Sequence, residues 1–141
     1  MGGTILAPAA VLVAWSMVML FWLAYARFSA VSKLGQRPPP APGLRGQDID
    51  PLLTPQAAWA SHNYAHLMEQ PTVFYAAVII LHLADAATPL MVNLAWAYVA
   101  IRVVHSIYQA SINKVSVRFA LFLASSLCLV VLAINAVMAT I

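Results

Sequence analysis

Long apolar runs constrain this chain more than any other feature. Ile5 to Tyr25 is apolar throughout except for Ser16. At about 1.5 Å per residue, a helix of that length crosses a hydrocarbon core of roughly 30 Å. The triplet Ala24-Tyr25-Ala26 has the small-x-small form of a signal cleavage site. However, no Lys or Arg precedes the run, the run is too long, and the positive charges follow it, so the expectation is a retained first span. Of the 141 residues, 63% are hydrophobic and only 8% charged, against about a quarter charged in an ordinary soluble domain. Such a chain cannot cover a globular surface with polar groups, and its solvent must be largely lipid. The length fits one domain over residues 1–141, with no internal repeat.

Residues 29–54, "SAVSKLGQRPPPAPGLRGQDIDPLLT", differ from the rest. They hold Pro38, Pro39, Pro40, Pro42 and Pro51 together with much of the charge. Consecutive prolines exclude a helix and favour an extended polyproline path, so this segment reads as a loop outside the lipid. Thr54-Pro55 then has the form of an N-cap followed by proline at the first helical position, and Thr88-Pro89 repeats that signal. Pro71 falls inside the second helical pattern and is expected to kink or split it. Residues 72–84 are too short to span alone, so the second span must borrow the amphipathic segment before Pro71. Spans are expected at about 5–26, 57–84, 89–110 and 117–140. The fold class is an all-α integral membrane four-helix bundle with up-down topology.

Charge placement gives an orientation. Arg27, Lys33, Arg37 and Arg45 follow the first span, and Lys114 and Arg118 lie between the third and fourth. The turn at 85–89 carries no Lys or Arg. The positive-inside rule puts both basic loops in the cytoplasm and both termini on the non-cytoplasmic side. The net charge of +3 includes no basic cluster interleaved with aromatics, which argues against a nucleic-acid partner. Cys128 is the lone cysteine, sits in an apolar run, and reads as inert packing. The tryptophans and tyrosines read as packing and interfacial residues. No phosphate loop, zinc-finger spacing or hydrolase serine motif is present.

The scarce polar residues are patterned. His62, His66 and Glu69 are spaced i, i+4, i+7 and share one helical face. Arg102, His105 and Gln109 are spaced i, i+3, i+7 on the third span, and Asn113 continues their line. In the topology above both stripes lie toward the cytoplasmic end. Charges at membrane depth are costly unless paired or hydrated, so the stripes are expected to face each other or a neighbouring subunit, with Glu69 and Arg102 as an ion pair. Three readings of the stripes remain open: a ligand site, interhelical polar packing without a ligand, and metal binding through His62, His66, Glu69 and His105. The last is the weakest, because Asp48 and Asp50 lie in the loop and Asp85 at the opposite end, leaving too few inward carboxylates. His82 and Asp85 read as a helix-end cap.

The segments "HLMEQPTVFYA" and "AWAYVAIRVVHSIYQASINKVSVRFALF" resemble the bacterial branch of the MAPEG family, the membrane-associated proteins in eicosanoid and glutathione metabolism. The specific part is a Glu followed by Pro-x-x-Phe in the second helix, with Arg-x-x-His in the third and a downstream Arg. The resemblance implies a homotrimer of four-helix subunits in a membrane, here the bacterial inner membrane. It also implies that glutathione is bound as co-substrate at the cytoplasmic side between adjacent subunits. The thiolate would attack a lipophilic electrophile from the bilayer or reduce a lipid hydroperoxide. By the same resemblance Glu69 and Arg102 stand at retained positions of the glutathione site. His66 stands where the family has Asn, His62 where it has Arg, and His105 and Gln109 where Tyr is common. Arg118 is the counterpart of the Arg that activates the thiol. The alternative is a non-catalytic membrane protein that binds lipid or serves as an accessory subunit of a larger complex.

Overall fold

The computed structural model describes residues 4–35, 39 and 41–141. The described residues are helical, with no strand. Five α-helices run α1 Leu6–Ser32, α2 Gly46–Ile49, α3 Pro55–Leu83, α4 Pro89–Ser111 and α5 Val115–Met138, and a 3-10 turn at Asp50–Leu52 follows α2. Three of them, α1, α4 and α5, are long and apolar enough to cross a membrane. At 29 residues α3 is the longest helix, roughly 43 Å at the standard rise. It carries the polar stripe and is not among those three.

The start signals read from the sequence are where helices begin. Pro55 and Pro89 are the first residues of α3 and α4, and the Thr88 hydroxyl accepts a hydrogen bond from the Met91 N–H at 3.4 Å. Thr54 adopts the extended cap conformation without a side-chain cap bond. The C-terminal ends use left-handed residues. Asp85 (φ +52°) closes α3, with the Ala86 N–H on the Leu81 carbonyl and the Asp85 N–H on the His82 carbonyl, the double bond of a Schellman motif. Asn113 (φ +59°) is also left-handed after α4, with its N–H on the Tyr108 carbonyl, and a short polar side chain tolerates the conformation better than a branched one.

Pro71 does not split α3. The helix runs unbroken from Pro55 to Leu83 with Pro71 buried inside it. The proline cannot donate to the Leu67 carbonyl, but buried contacts from Leu67, Phe74, Ala77, Val78 and Leu81 hold both halves in one helix. The polyproline expectation for residues 38–40, and Arg37, fall on or next to residues outside the described set.

Each outer helix buries one narrow stripe. On α1 it is Pro8, Leu12, Ser16 and Met19, and on α5 Ser125, Leu129, Leu132 and Ala136. These spacings of three and four residues follow one helical face. The opposite faces present Val13, Val18, Phe21 and Phe28, and Leu127, Val130, Ile134 and Val137, as exposed apolar residues, as expected for helices whose outer solvent is hydrocarbon. Helix α3 packs on α1, α4 and α5, and α4 packs on α1 and α5. At the centre, the Phe74 and Tyr98 rings stack with centroids 4.3 Å apart.

The segment before α3 is tied down. Arg27 near the end of α1 donates to Asp50 at 2.7 Å and to the Ser61 hydroxyl of α3 at 3.0 Å. Gly46 lies against the Arg27 guanidinium so closely that a Cβ there would overlap it. Asp48 closes α2 in a capping box with Arg45. The Arg45 backbone N–H, and then its guanidinium, hold the Asp48 carboxyl below its ordinary value of 3.8.

Candidate functional site

The two polar stripes meet, though not through the expected residues. The His66 and His105 rings stack with centroids 4.9 Å apart, and His66 also packs against Phe122 of α5 at 5.7 Å. Together with Arg118, Val115 and Phe119 they line a cleft of about 180 Å³. Arg118 is half-buried and its guanidinium donates to the Asn113 side chain. The left-handed residue that ends α4 thus also anchors the cation at the start of α5.

Arg102 lies behind this cleft, fully buried. Its Nη2 donates to the His66 backbone carbonyl at 2.8 Å, while Nε and Nη1 have no hydrogen-bond partner. The expected Glu69–Arg102 ion pair is not formed: the ion pairs among the described residues are Arg27–Asp50 and Arg45–Asp48. Helical phase explains this. At about 100° per residue, Glu69 points roughly 60° away from His66 around α3. His66 turns toward α4 and α5, while His62 and Glu69 turn to the outer edge of the stripe and are exposed. His62 opens on a cleft of about 410 Å³ beside Asp50 and Pro51. Glu69 opens on another of about 530 Å³ that also holds Arg27, Arg45 and Tyr64. Gln109 is buried on α4 with its amide oxygen unpartnered, and Ser106 beside it has an unpartnered hydroxyl.

The structure therefore brings together His66, Arg102, His105 and Arg118, places His62 and Glu69 on adjoining open clefts, and keeps Gln109 in the interior. Sequence reasoning missed three participants. Gln70 accepts from the Tyr98 hydroxyl at 3.3 Å and donates to Ser126 at 2.8 Å, linking α3, α4 and α5. Arg27 was read only as a topology signal, yet it lines the Glu69 cleft. Tyr98 lies four residues before Arg102 on the stripe that Arg102 and His105 occupy, a spacing that could have marked it. Among the described residues no group of three or more His, Cys, Asp or Glu side chains comes together to hold a metal ion.

Helices with apolar outer faces around a buried guanidinium and two stacked imidazoles define an integral membrane protein with a polar site built between its helices. Residues 5–138 match the MAPEG family, and the chain belongs to it. No curated protein and no solved structure matches the chain.

Proposed function

We propose that this protein is a glutathione-dependent transferase or peroxidase that acts on lipophilic electrophiles at the cytoplasmic side of the membrane. In this reading the four long helices all span, in up-down order, with both termini on the non-cytoplasmic side. The membrane is the bacterial inner membrane, and the working unit is a homotrimer. The observation that carries the proposal is the cleft where two imidazoles and the Arg118 guanidinium converge with Phe119 and Phe122. A cationic, partly apolar recess of this kind stabilises a thiolate and admits an apolar reactant from the bilayer.

The donor set suits the ligand. Arg102 and Arg118 keep unpartnered N–H groups, which match carboxylate and thiolate acceptors. The exposed Glu69 carboxylate, and the Gln109 oxygen deeper in, match an ammonium or amide donor. The cleft beside Arg118, at about 180 Å³, is smaller than the roughly 300 Å³ at which small-molecule sites begin. Glu69 and His62 face outward beside it. That division supports a site completed by an adjacent subunit.

Bound glutathione would supply a sulfur nucleophile that forms a C–S bond as the electrophile's leaving group departs with the bonding pair or, with a second glutathione, reduces a hydroperoxide to an alcohol and water while the two thiols become the disulfide. The chain's part is to place the sulfur beside Arg118, to offer the His66–His105 pair as proton acceptor, and to let Phe119 and Phe122 exclude water from the reacting atoms. Arg102 holds the His66 backbone and raises the positive potential behind the cleft. Arg118→Gln tests this assignment. The ultraviolet thiolate band of the glutathione complex should be present in the parent protein and at least tenfold weaker in the variant at equal occupancy. An equal band in both would remove Arg118 from the chemistry.

Two contacts favour a second reading. Arg102 on the His66 carbonyl, and Gln70 between Tyr98 and Ser126, tie α3 to its neighbours as interhelical polar packing. On that reading the protein is a non-catalytic membrane component that binds lipid or serves as an accessory subunit.

A further inference from the structure

A fourth cleft, of about 330 Å³, lies between the last turns of α1 and the corner that leads into α3, and shares no residue with the site above. Its α1 wall carries Trp22, Tyr25, Ser29 and Lys33, and its other wall Leu52 and Gln56. From Trp22 to Lys33, the C-cap of α1, is eleven steps along the helix, roughly 16 Å along the axis. The apolar run of α1 ends at Arg27, so the cleft begins in the hydrocarbon and ends beyond it. Its chemistry is graded in the same direction. The Trp22 and Tyr25 rings lie 6.0 Å apart at the apolar end, where amphipathic aromatics settle at the interface, and Lys33 stands at the polar end.

Two features separate this cleft from its neighbours. The other two clefts around the 45–53 segment contain Asp50, or Glu69 beside its arginines, whereas this one has a lysine and no carboxylate. In addition, among the described residues the side chains of Ser29, Lys33, Thr54 and Gln56 make no hydrogen bond to protein. A cleft at the membrane boundary with free donors, one cation, no acid and an aromatic, aliphatic floor matches a single occupant by charge and depth. We propose that it holds one anionic phospholipid, with the phosphate at Lys33 and the Gln56 amide, and the glycerol and first acyl carbons along Trp22, Tyr25 and Leu52.

The test uses the full chain purified in a neutral detergent and native mass spectrometry with added phosphatidylglycerol or phosphatidylcholine of identical acyl chains. The parent protein should retain one phosphatidylglycerol per chain in preference to phosphatidylcholine. Lys33→Gln, an exposed change that leaves packing alone, should cut that preference about fivefold, the effect of one basic residue near an anionic surface. Lys114→Gln, outside the cleft, should leave it unchanged. Trp22→Ala should lower retention of both lipids together. Equal retention of the two lipids by the parent protein would overturn the proposal, as would a preference that survives Lys33→Gln or that Lys114→Gln removes equally. None of these outcomes depends on glutathione binding.

Discussion

Arg102 can donate five N–H hydrogen bonds but makes one to protein, from a fully buried position. Leaving a guanidinium in that state is costly unless a ligand, water or the surrounding potential compensates. Gln70 is the contrasting case. It is satisfied on both ends, by Tyr98 and Ser126. Gln70→Leu should therefore lower stability by about 1–3 kcal/mol, since it strands the Tyr98 hydroxyl and removes the donor to Ser126, whose own hydroxyl keeps its bond to the Phe122 carbonyl, and unfolding in detergent micelles would read this. A loss within experimental error would mean that the Gln70 chain does not hold the helices together. At this scale the sequence was only partly legible. Residue types and spacing marked His66, Arg102 and His105, and the structure gathers them. They also suggested the Glu69–Arg102 pair, which fails because a shared helical face is broad enough to separate its two edges.

Elements were more legible when their signals were local. Thr-Pro pairs mark the starts of α3 and α4, and apolar length marks α1, α4 and α5. Helix α2 was invisible because four residues in a proline-rich segment carry no periodic signal. What holds that segment is distant in sequence: Arg27 on Asp50 and Ser61, with Gly46 leaving room for the guanidinium. Gly46→Ala should displace Arg27 and loosen the segment. Limited proteolysis at Arg45 should then run several-fold faster, with helicity unchanged. Acid should act at the same place. The Asp48 carboxyl is held below its ordinary 3.8, so the cap contributes fully above that pH and is lost as pH falls through the lower folded value. Cleavage at Arg45 that is indifferent to Gly46→Ala would show that the Arg27 contact does not order the segment.

Among the described residues the long helices have apolar outer faces, and buried polar side chains gather on the inner side of α3 and α4. Glu69 and His62 stand at its open edge, away from the recess that holds Arg118. In the proposed function these adjoining clefts would be parts of one glutathione site, which an adjacent subunit would complete. Sequence could supply the family, because MAPEG features lie in contiguous motifs along α3 and α4. It could not supply the division of the site, which depends on how α3 is rotated against its neighbours. The most direct measurement is calorimetry of glutathione binding to the purified protein in detergent, for the parent protein and Glu69→Ala. Glu69 is exposed and makes no ion pair among the described residues, so its loss should leave the fold intact. The account predicts saturable binding to the parent and at least tenfold weaker binding to Glu69→Ala. A folded protein that takes up no glutathione would contradict it, and would leave the buried polar groups as interhelical packing.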